Sequence, residues 1–302
     1  MKHTPSAIEL LSNQETVVSL ISDLTNQPKN LVLSRLREEY SNPGINVVRD
    51  FKKAGLEPFK WCKELSDFYN QTDAFLYELV FWNRNKIKNK MRRWISRHLA
   101  KNEQGKLNIL CIGDGLGIDS AHLANEGHNV EYFEVKGYSE SFARKIFAEC
   151  KYNITILNEQ DEIKNGFYDV VICLDVLEHI PNPPEYVKIL TDYLRSGGRL
   201  IVHSPFYMVH PNYPTHLKDN RRYSGNLSLY TKNNLALVDG ELTWNPIVLQ
   251  KSNGENNKYK HFNLKIYCLL ITGCFISIGR FSSKPFWWVN SLSRKKNKWF
   301  GE

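Results

Sequence analysis

The run Ile112-Gly113-Asp114-Gly115-Leu116-Gly117 points most directly to chemistry. Glycines at alternate positions let the backbone turn tightly and approach a ligand, and the start of the following helix offers unpaired N–H groups. Glu134 stands 21 residues beyond Gly113, at the end of the next apolar run. An acid at that place accepts hydrogen bonds from both ribose hydroxyls of a nucleotide cofactor. A glycine cluster alone is equally well a tight turn, and a lone strand-end acid a surface carboxylate; their joint spacing favours the nucleotide.

What is missing narrows the nucleotide. A G-x-G-x-x-G fingerprint starting at Gly113 needs glycine at position 118, where this chain has Ile118. The pyrophosphate-binding turn is therefore incomplete. G-x-G-x-G suits a cofactor with one nucleoside and a short zwitterionic tail, and S-adenosylmethionine is such a molecule. From about Leu107 to Pro205 the sequence resembles the class I S-adenosylmethionine-dependent methyltransferases. LNILCIGDGLG, Glu134, YDVVICLDVLEHIPNP and LRSGGRLIVHSP follow one another in that family's order. The block Asp175-Val176-Leu177-Glu178-His179-Ile180 is similar to that of small-molecule methyltransferases of the quinone and sugar type. The resemblance implies an α/β, Rossmann-like core with a mostly parallel sheet and helices on both faces. It also implies S-adenosyl-L-methionine as cofactor, held by Gly113, Asp114, Gly115, Gly117, Glu134 and Asp175. Either Glu159 or Asp161 would meet the adenine amine. Cys111 stands where the family often has an acid.

The implied reaction is in-line displacement of a methyl group from a sulfonium, helped by holding the reactants aligned and apart from water. A hydroxyl acceptor must also lose its proton, and His179, just after the fourth strand, is the candidate base. Packing against the cofactor, or capping the turn at Pro181, is the alternative for the same ring. The segment Ser204–Tyr223 is long, aromatic and proline-rich, and it follows the fifth strand as a substrate lid would. Tyr207, His210, Tyr213, His216 and Arg222 are its candidate contacts. Asp175, Glu178 and His179 with the distal His216 also look like the E-x-x-E-H and histidine of metal-dependent RNA 2′-O-methyltransferases. Here the first position is Asp and no RNA-binding module is recognisable, so no metal is assigned and nucleic acid is not the expected partner. A catalytically inactive, methyltransferase-like scaffold is the remaining alternative.

These residues need elements to position them. From Leu107 onward, short continuously apolar runs alternate with helical stretches: strands at 107–112, 130–134, 154–157, 169–175 and 199–203, with helices at 118–126, 139–150 and 185–194. Strand cores without a period of two are the mark of a parallel sheet covered on both faces. The first hundred residues read as helices punctuated by Asn42-Pro43-Gly44 and Gly55-Leu56-Glu57-Pro58. A long helix is expected from Thr72-Asp73 through Leu99. One face is apolar and the other carries Arg84, Lys86, Lys88, Lys90, Arg92, Arg93, Arg97 and Lys101, which reads as a solvated face or, alternatively, a phosphate-binding or anionic-lipid surface. Three regions result: helical 1–104, a methyltransferase core 105–250, and a basic, apolar extension 251–302. The helical region is expected to cover the cofactor, with Tyr69 and Tyr77 as contacts, or to form a homodimer surface.

Composition sets the bounds. The 302 residues are 42% hydrophobic, which excludes disorder. The longest apolar run, Ile266 to Gly279, falls short of the roughly 18 to 20 residues of a spanning helix, which excludes a polytopic membrane protein. No signal peptide is visible at Met1–Asn13, so the expected location is the cytoplasm. Six scattered cysteines form no C-x-x-C pair and read as reduced hydrophobes. The net charge of +8 is uneven: residues 1–100 carry 16 basic and 11 acidic side chains, 101–250 carry 14 and 19, and 251–302 carry 10 and 2. Ile266–Ile278 reads as a last strand or helix of the core. With Phe286-Trp287-Trp288 and Arg294–Trp299 it reads alternatively as a peripheral membrane anchor. The expected activity is O-methylation of a small molecule or glycan.

Overall fold

In the computed structural model, residues 5–102, 105–252, 264–286 and 299 are described. Seven helices come first: α1 (Ala7–Ser12), α2 (Gln14–Thr25), α3 (Lys29–Ser41), α4 (Ile45–Lys53), α5 (Lys63–Gln71), α6 (Ala74–Arg84) and α7 (Lys86–Asn102). Then follow β1 (Asn108–Ile112), α8 (Ile118–Asn125), β2 (Asn129–Phe133), α9 (Tyr138–Cys150), β3 (Ile154–Leu157), β4 (Tyr168–Leu174), α10 (Pro183–Tyr193) and β5 (Leu194–His203). The chain continues through α11 (Ser228–Thr231), β6 (Leu235–Gly240), β7 (Ile247–Lys251) and α12 (Leu264–Ile276). The strands form one sheet in the order β3-β2-β1-β4-β5-β7-β6, parallel except that β7 runs antiparallel to β5 and β6.

The parallel half is as expected, because strands with both faces covered must be apolar throughout. Ile109, Leu110, Cys111, Val170, Val171 and Cys173 are completely buried. Four expectations change. The helix expected from Thr72 to Leu99 is two helices. Asn85 leaves helical geometry at ψ 144°, and its Oδ1 accepts the Ile87 N–H, so one residue ends α6 and caps α7. Its basic face is only partly solvated, since Lys88 and Arg92 are buried, 5% and 3% exposed. The hairpin β6–β7 was not expected at all; it closes the sheet beyond β5. Tyr77, expected as a cofactor contact, is not open to a ligand. It is fully buried under the Arg35 guanidinium, 3.9 Å from its ring centre, and Arg35 is itself paired to Asp73 at 2.7 Å.

Register decides what meets at the carboxyl edge. Ile112, the last residue of β1, pairs with Phe133 of β2 on one side and with Cys173 of β4 on the other. Gly113, Glu134 and the β4 end therefore leave the sheet side by side. The N-terminal helices are not a separate layer: Leu11, Val17, Ile21, Val32, Leu36 and Leu76 share one apolar cluster with Ile118, Tyr132, Phe142 and Ile146.

Candidate active site

The glycine turn is held open by its own neighbours. At Gly115, with φ +56°, an added Cβ would lie 2.8 Å from Leu79 of α6; at Gly117, with φ +71°, it would lie 2.4 Å from the Phe147 ring. Neither position accepts another residue without displacing the wall of the turn. Beneath it, the buried Tyr132 hydroxyl donates to the Gly115 carbonyl at 2.6 Å. Glu134 lies against the turn: one carboxylate oxygen accepts the Gly115 N–H at 2.7 Å, the other its neighbour's Val135 N–H at 2.9 Å. Burial pushes its pKa up, against the pull of those two donors. Lone pairs remain on both oxygens for hydroxyl donors.

The other acids expected at the cofactor differ in their surroundings. Asp114 caps α8, accepting the Ser120 N–H and hydroxyl at 2.7 Å each, and burial with Asp119 nearby lifts it to about 7. Asp175, at φ +60°, accepts His203 Nδ1–H at 2.6 Å and Trp82 Nε1–H at 2.9 Å, with Lys88 Nζ 3.6 Å away. Burial would raise its pKa, but His203 and Lys88 hold it well below the usual carboxylate range. Glu159 and Asp161 are both exposed beyond β3, and Glu159 is paired with Lys136.

The second group of candidate residues is built around the β4 exit. Glu178 is 2% exposed, and among the described residues neither carboxylate oxygen has a hydrogen-bond partner. Burial, then the Asp175 charge, pushes its pKa well up. His179 Nδ1 lies 2.9 Å from Tyr69 Oη and 3.2 Å from the Thr215 carbonyl. A carbonyl only accepts, so this partner set assigns the hydrogen to Nδ1 and the lone pair to Nε2. Burial drops the His179 pKa to about 4. His216 meets the His179 ring edge-on at 4.7 Å, stacks on Tyr213 at 5.3 Å, and leaves its buried Nδ1 without a partner. Burial, then His179, lowers it well below the ordinary histidine value. Ligand atoms of Glu178, His179 and His216 all lie within 4.8 Å of one another, so one carboxylate and two imidazoles could hold a cation.

The lid candidates divide. His216 and Tyr213 join His179, and His210 sits beside Tyr213 with ring centres 6.0 Å apart. Tyr207 turns to the C-terminal segment, its ring 4.4 Å from Phe286, and lines a small cavity with His203, Ser204 and Tyr230. Arg222 is exposed, its guanidinium over the Tyr223 ring. The sequence did not single out Asn220. Its buried amide donates to the carbonyls of Leu177, Glu178 and Ile180 at 3.3, 3.2 and 2.8 Å and so fixes the loop bearing Glu178 and His179. Lys88, Trp82 and His203, which hold Asp175, were also missed, because nothing local marks a side chain whose partner lies 93 residues away, as for Trp82.

Residues 60–238 match the model of a family described as a methyltransferase domain. The ubiquinone biosynthesis O-methyltransferase of Rickettsia typhi is 34% identical over 108 residues, covering 34% of this chain and 43% of that protein. The protein of the same name from Erwinia tasmaniensis is 34% identical over 112 residues, 35% of this chain and 45% of its own. The matches thus span less than half the length of these relatives. Among solved structures, an S-adenosylmethionine-dependent methyltransferase from Mesorhizobium loti superposes with a TM-score of 0.43 at 14% identity, over 53% of this chain and 98% of that one.

Proposed function

Because this chain belongs to the methyltransferase-domain family, we propose that it transfers a methyl group from S-adenosylmethionine to a hydroxyl of a small apolar molecule. One observation carries the proposal: Glu134 sits against the Gly115 N–H at the same sheet edge where Glu178 and His179 emerge. The nucleoside would lie over the glycine turn with its ribose on Glu134. The acceptor would lie towards His179, under the loop that follows β5. The sulfonium loses its positive charge as the methyl group leaves, so a dry site helps an anionic acceptor attack it. Isothermal calorimetry with S-adenosylmethionine, and with NAD as control, tests the cofactor. The expected result is binding that Glu134→Ala weakens at least tenfold. Equal affinity for the variant removes the ribose role, and no binding removes the proposal. Turnover with a phenolic acceptor, suggested by the relatives' ubiquinone biosynthesis name, tests the substrate class.

Glu178 favours a second element of the same reading. A buried carboxylate with both oxygens unpartnered costs about 1–3 kcal/mol or more, and such a cost is borne where a ligand relieves it. A His179 poised near 4 is a weak base for a hydroxyl, but a neutral imidazole is a good cation ligand. A divalent cation on Glu178, His179 and His216 would supply Lewis-acid polarisation of the acceptor hydroxyl. Two imidazoles with one carboxylate suit a first-row transition metal better than magnesium. Equilibrium dialysis against Mn²⁺ or Zn²⁺ with metal analysis should return one ion per chain, lost in Glu178→Gln; no retained ion in the wild type refutes the site.

A further inference from the structure

Thirteen large hydrophobic side chains are exposed among the described residues, and seven of them fall between Leu264 and Phe281. Leu264, Tyr267, Leu270, Ile271, Phe275, Ile278 and Phe281 recur every three or four residues. They form one stripe along α12 and the short 3₁₀ turn Ser277–Arg280 after it. Phe275 is 65% exposed and Phe281 84%. The opposite face of the segment is seated. Leu269 and Gly273 are buried, Trp244 Nε1 donates to the Leu269 carbonyl at 2.8 Å, and the Trp244 ring fills the space a Cβ of Gly273 would need. A helix apolar on all sides belongs in an interior, and the described residues cover only half of this one.

Charge identifies what covers the rest. Residues 251–302 carry ten basic side chains against two acidic. Lys265 is paired to Asp239, whereas Lys284 is exposed just beyond Phe281. Two copies of this chain meeting through the stripe would bring two such cationic segments together. An anionic bilayer complements them. Helix α12, at 13 residues, is about 20 Å long against a hydrocarbon core of about 30 Å, so on a bilayer its place is along the surface and not across it. No helix among the described residues is long and apolar enough to cross one. The basic and Trp-containing stretches 287–288 and 294–298 lie outside the described residues. Trp299 packs on Arg84 and donates to the Ser12 carbonyl, away from the role of a surface anchor.

The same segment braces the acceptor loop. Phe286 contacts the Tyr207 ring, Ser283 Oγ accepts the Val209 N–H at 3.4 Å, and Arg280 Nε donates to the Ser224 carbonyl at 2.9 Å. We propose that the apolar stripe of α12 docks on an anionic lipid bilayer and thereby holds the acceptor loop at the membrane surface. Docking stands independently of the methyltransferase reading; its use, drawing an apolar acceptor from the lipid phase, rests on that reading.

The test is co-sedimentation of the full chain with phosphatidylglycerol-containing and pure phosphatidylcholine vesicles, for wild type, Ile271→Asp/Phe275→Asp and Lys284→Glu. Thermal unfolding by circular dichroism checks folding without reference to any cofactor. The expected result is binding to the anionic vesicles, weakened about tenfold or more by the apolar double variant and also by 0.5 M salt and Lys284→Glu, with unchanged melting. No pelleting with anionic vesicles at low salt overturns the proposal. Equal pelleting of wild type and the correctly folded apolar variant overturns the assignment to α12. A dimer in sedimentation velocity that the apolar variant dissolves, without vesicle binding, assigns the face to a second copy instead.

Discussion

Replacing Lys88 by Met removes the cation shared by the buried Asp119 and the partly buried Asp175. Its Nζ lies 2.9 Å from Asp119 and 3.6 Å from Asp175, and the lysine and Asp119 side chains are each 6% exposed. At an effective dielectric constant of about 20 the two attractions are about 6 and about 5 kcal/mol, from which the desolvation of each ion, several kcal/mol, must be subtracted. Arg92 stays on Asp119 at 2.7 Å and His203 and Trp82 stay on Asp175, so each carboxylate keeps a partner but loses the shared cation. Breaking a buried pair in this way costs about 3–5 kcal/mol. Urea unfolding at pH 8 should show that loss, a large part of the roughly 5–15 kcal/mol available to a domain. The pH dependence adds a second check. Burial opposes the charge on both carboxylates, yet Lys88 and Arg92 hold Asp119 low, and His203 and Lys88 hold Asp175 low. Both therefore stabilise the fold above the unfolded carboxylate value of about 4, and that contribution is lost as the pH falls through their folded values. Without Lys88 burial raises their pKa, acid neutralises them sooner, and the gap between wild type and variant narrows as the pH drops from 8 towards 5. A loss under about 1 kcal/mol, the size of an exposed pair, or a gap independent of pH, would refute the network.

Glu78 of α6 runs the other way. Burial, then the Glu39 charge, raises it from 4.5 to about 8, so its contribution is fully present below about 4.5 and is lost as the pH rises to about 8. Glu78→Gln should accordingly be more stable than wild type at pH 8 and little changed at pH 4.5, by urea midpoint; equal midpoints at both would show that Glu78 is well solvated. Asn220→Ala strands three carbonyls behind Glu178 and His179 and should cost about 1–3 kcal/mol in thermal or urea unfolding. A variant as stable as wild type would mean that water replaces the amide without cost.

What the sequence made legible was whatever chemistry is local. Ile109 to Cys111 and Val170 to Cys173 are apolar without alternation because both faces of the sheet are covered, and that shows in any window of five residues. The turn at Gly113, Gly115 and Gly117 shows because positive φ and absent space leave few residue types. Non-local chemistry did not show. Arg92 and Lys88 look like solvated cations until Asp119, 27 residues from Arg92, is folded against them. Asn85 breaks a helix without glycine or proline, by offering its own oxygen to the next N–H. Tyr77 shares the buried face of α6 with Leu76 and Val80, but only the tertiary placement of Arg35 closes it to a ligand.

The same division bears on the acceptor. The loop from Ser204 to Tyr223 is tied down at several places. The Asn212 amide donates to Asn42 and to the Pro43 carbonyl. Leu217 N–H donates to the Glu178 carbonyl. Ser283 and Phe286 hold Val209 and Tyr207. The family match, residues 60–238, contains the glycine turn, Glu134, Glu178 and His179, but neither Asn42 and Pro43 nor Ser283 and Phe286. The ties to Asn42 and Pro43 and to Ser283 and Phe286 thus lie outside the part of the chain that is alike in the family. On the proposed reading, cofactor binding would depend on groups inside that part, whereas acceptor choice would depend on a loop held partly from outside it. Changing Asn212 to Ala, which cuts only the tie to Asn42 and Pro43, should therefore alter the KM for the acceptor while leaving cofactor affinity within about twofold. A matching loss of cofactor affinity would show that loop and glycine turn move as one body.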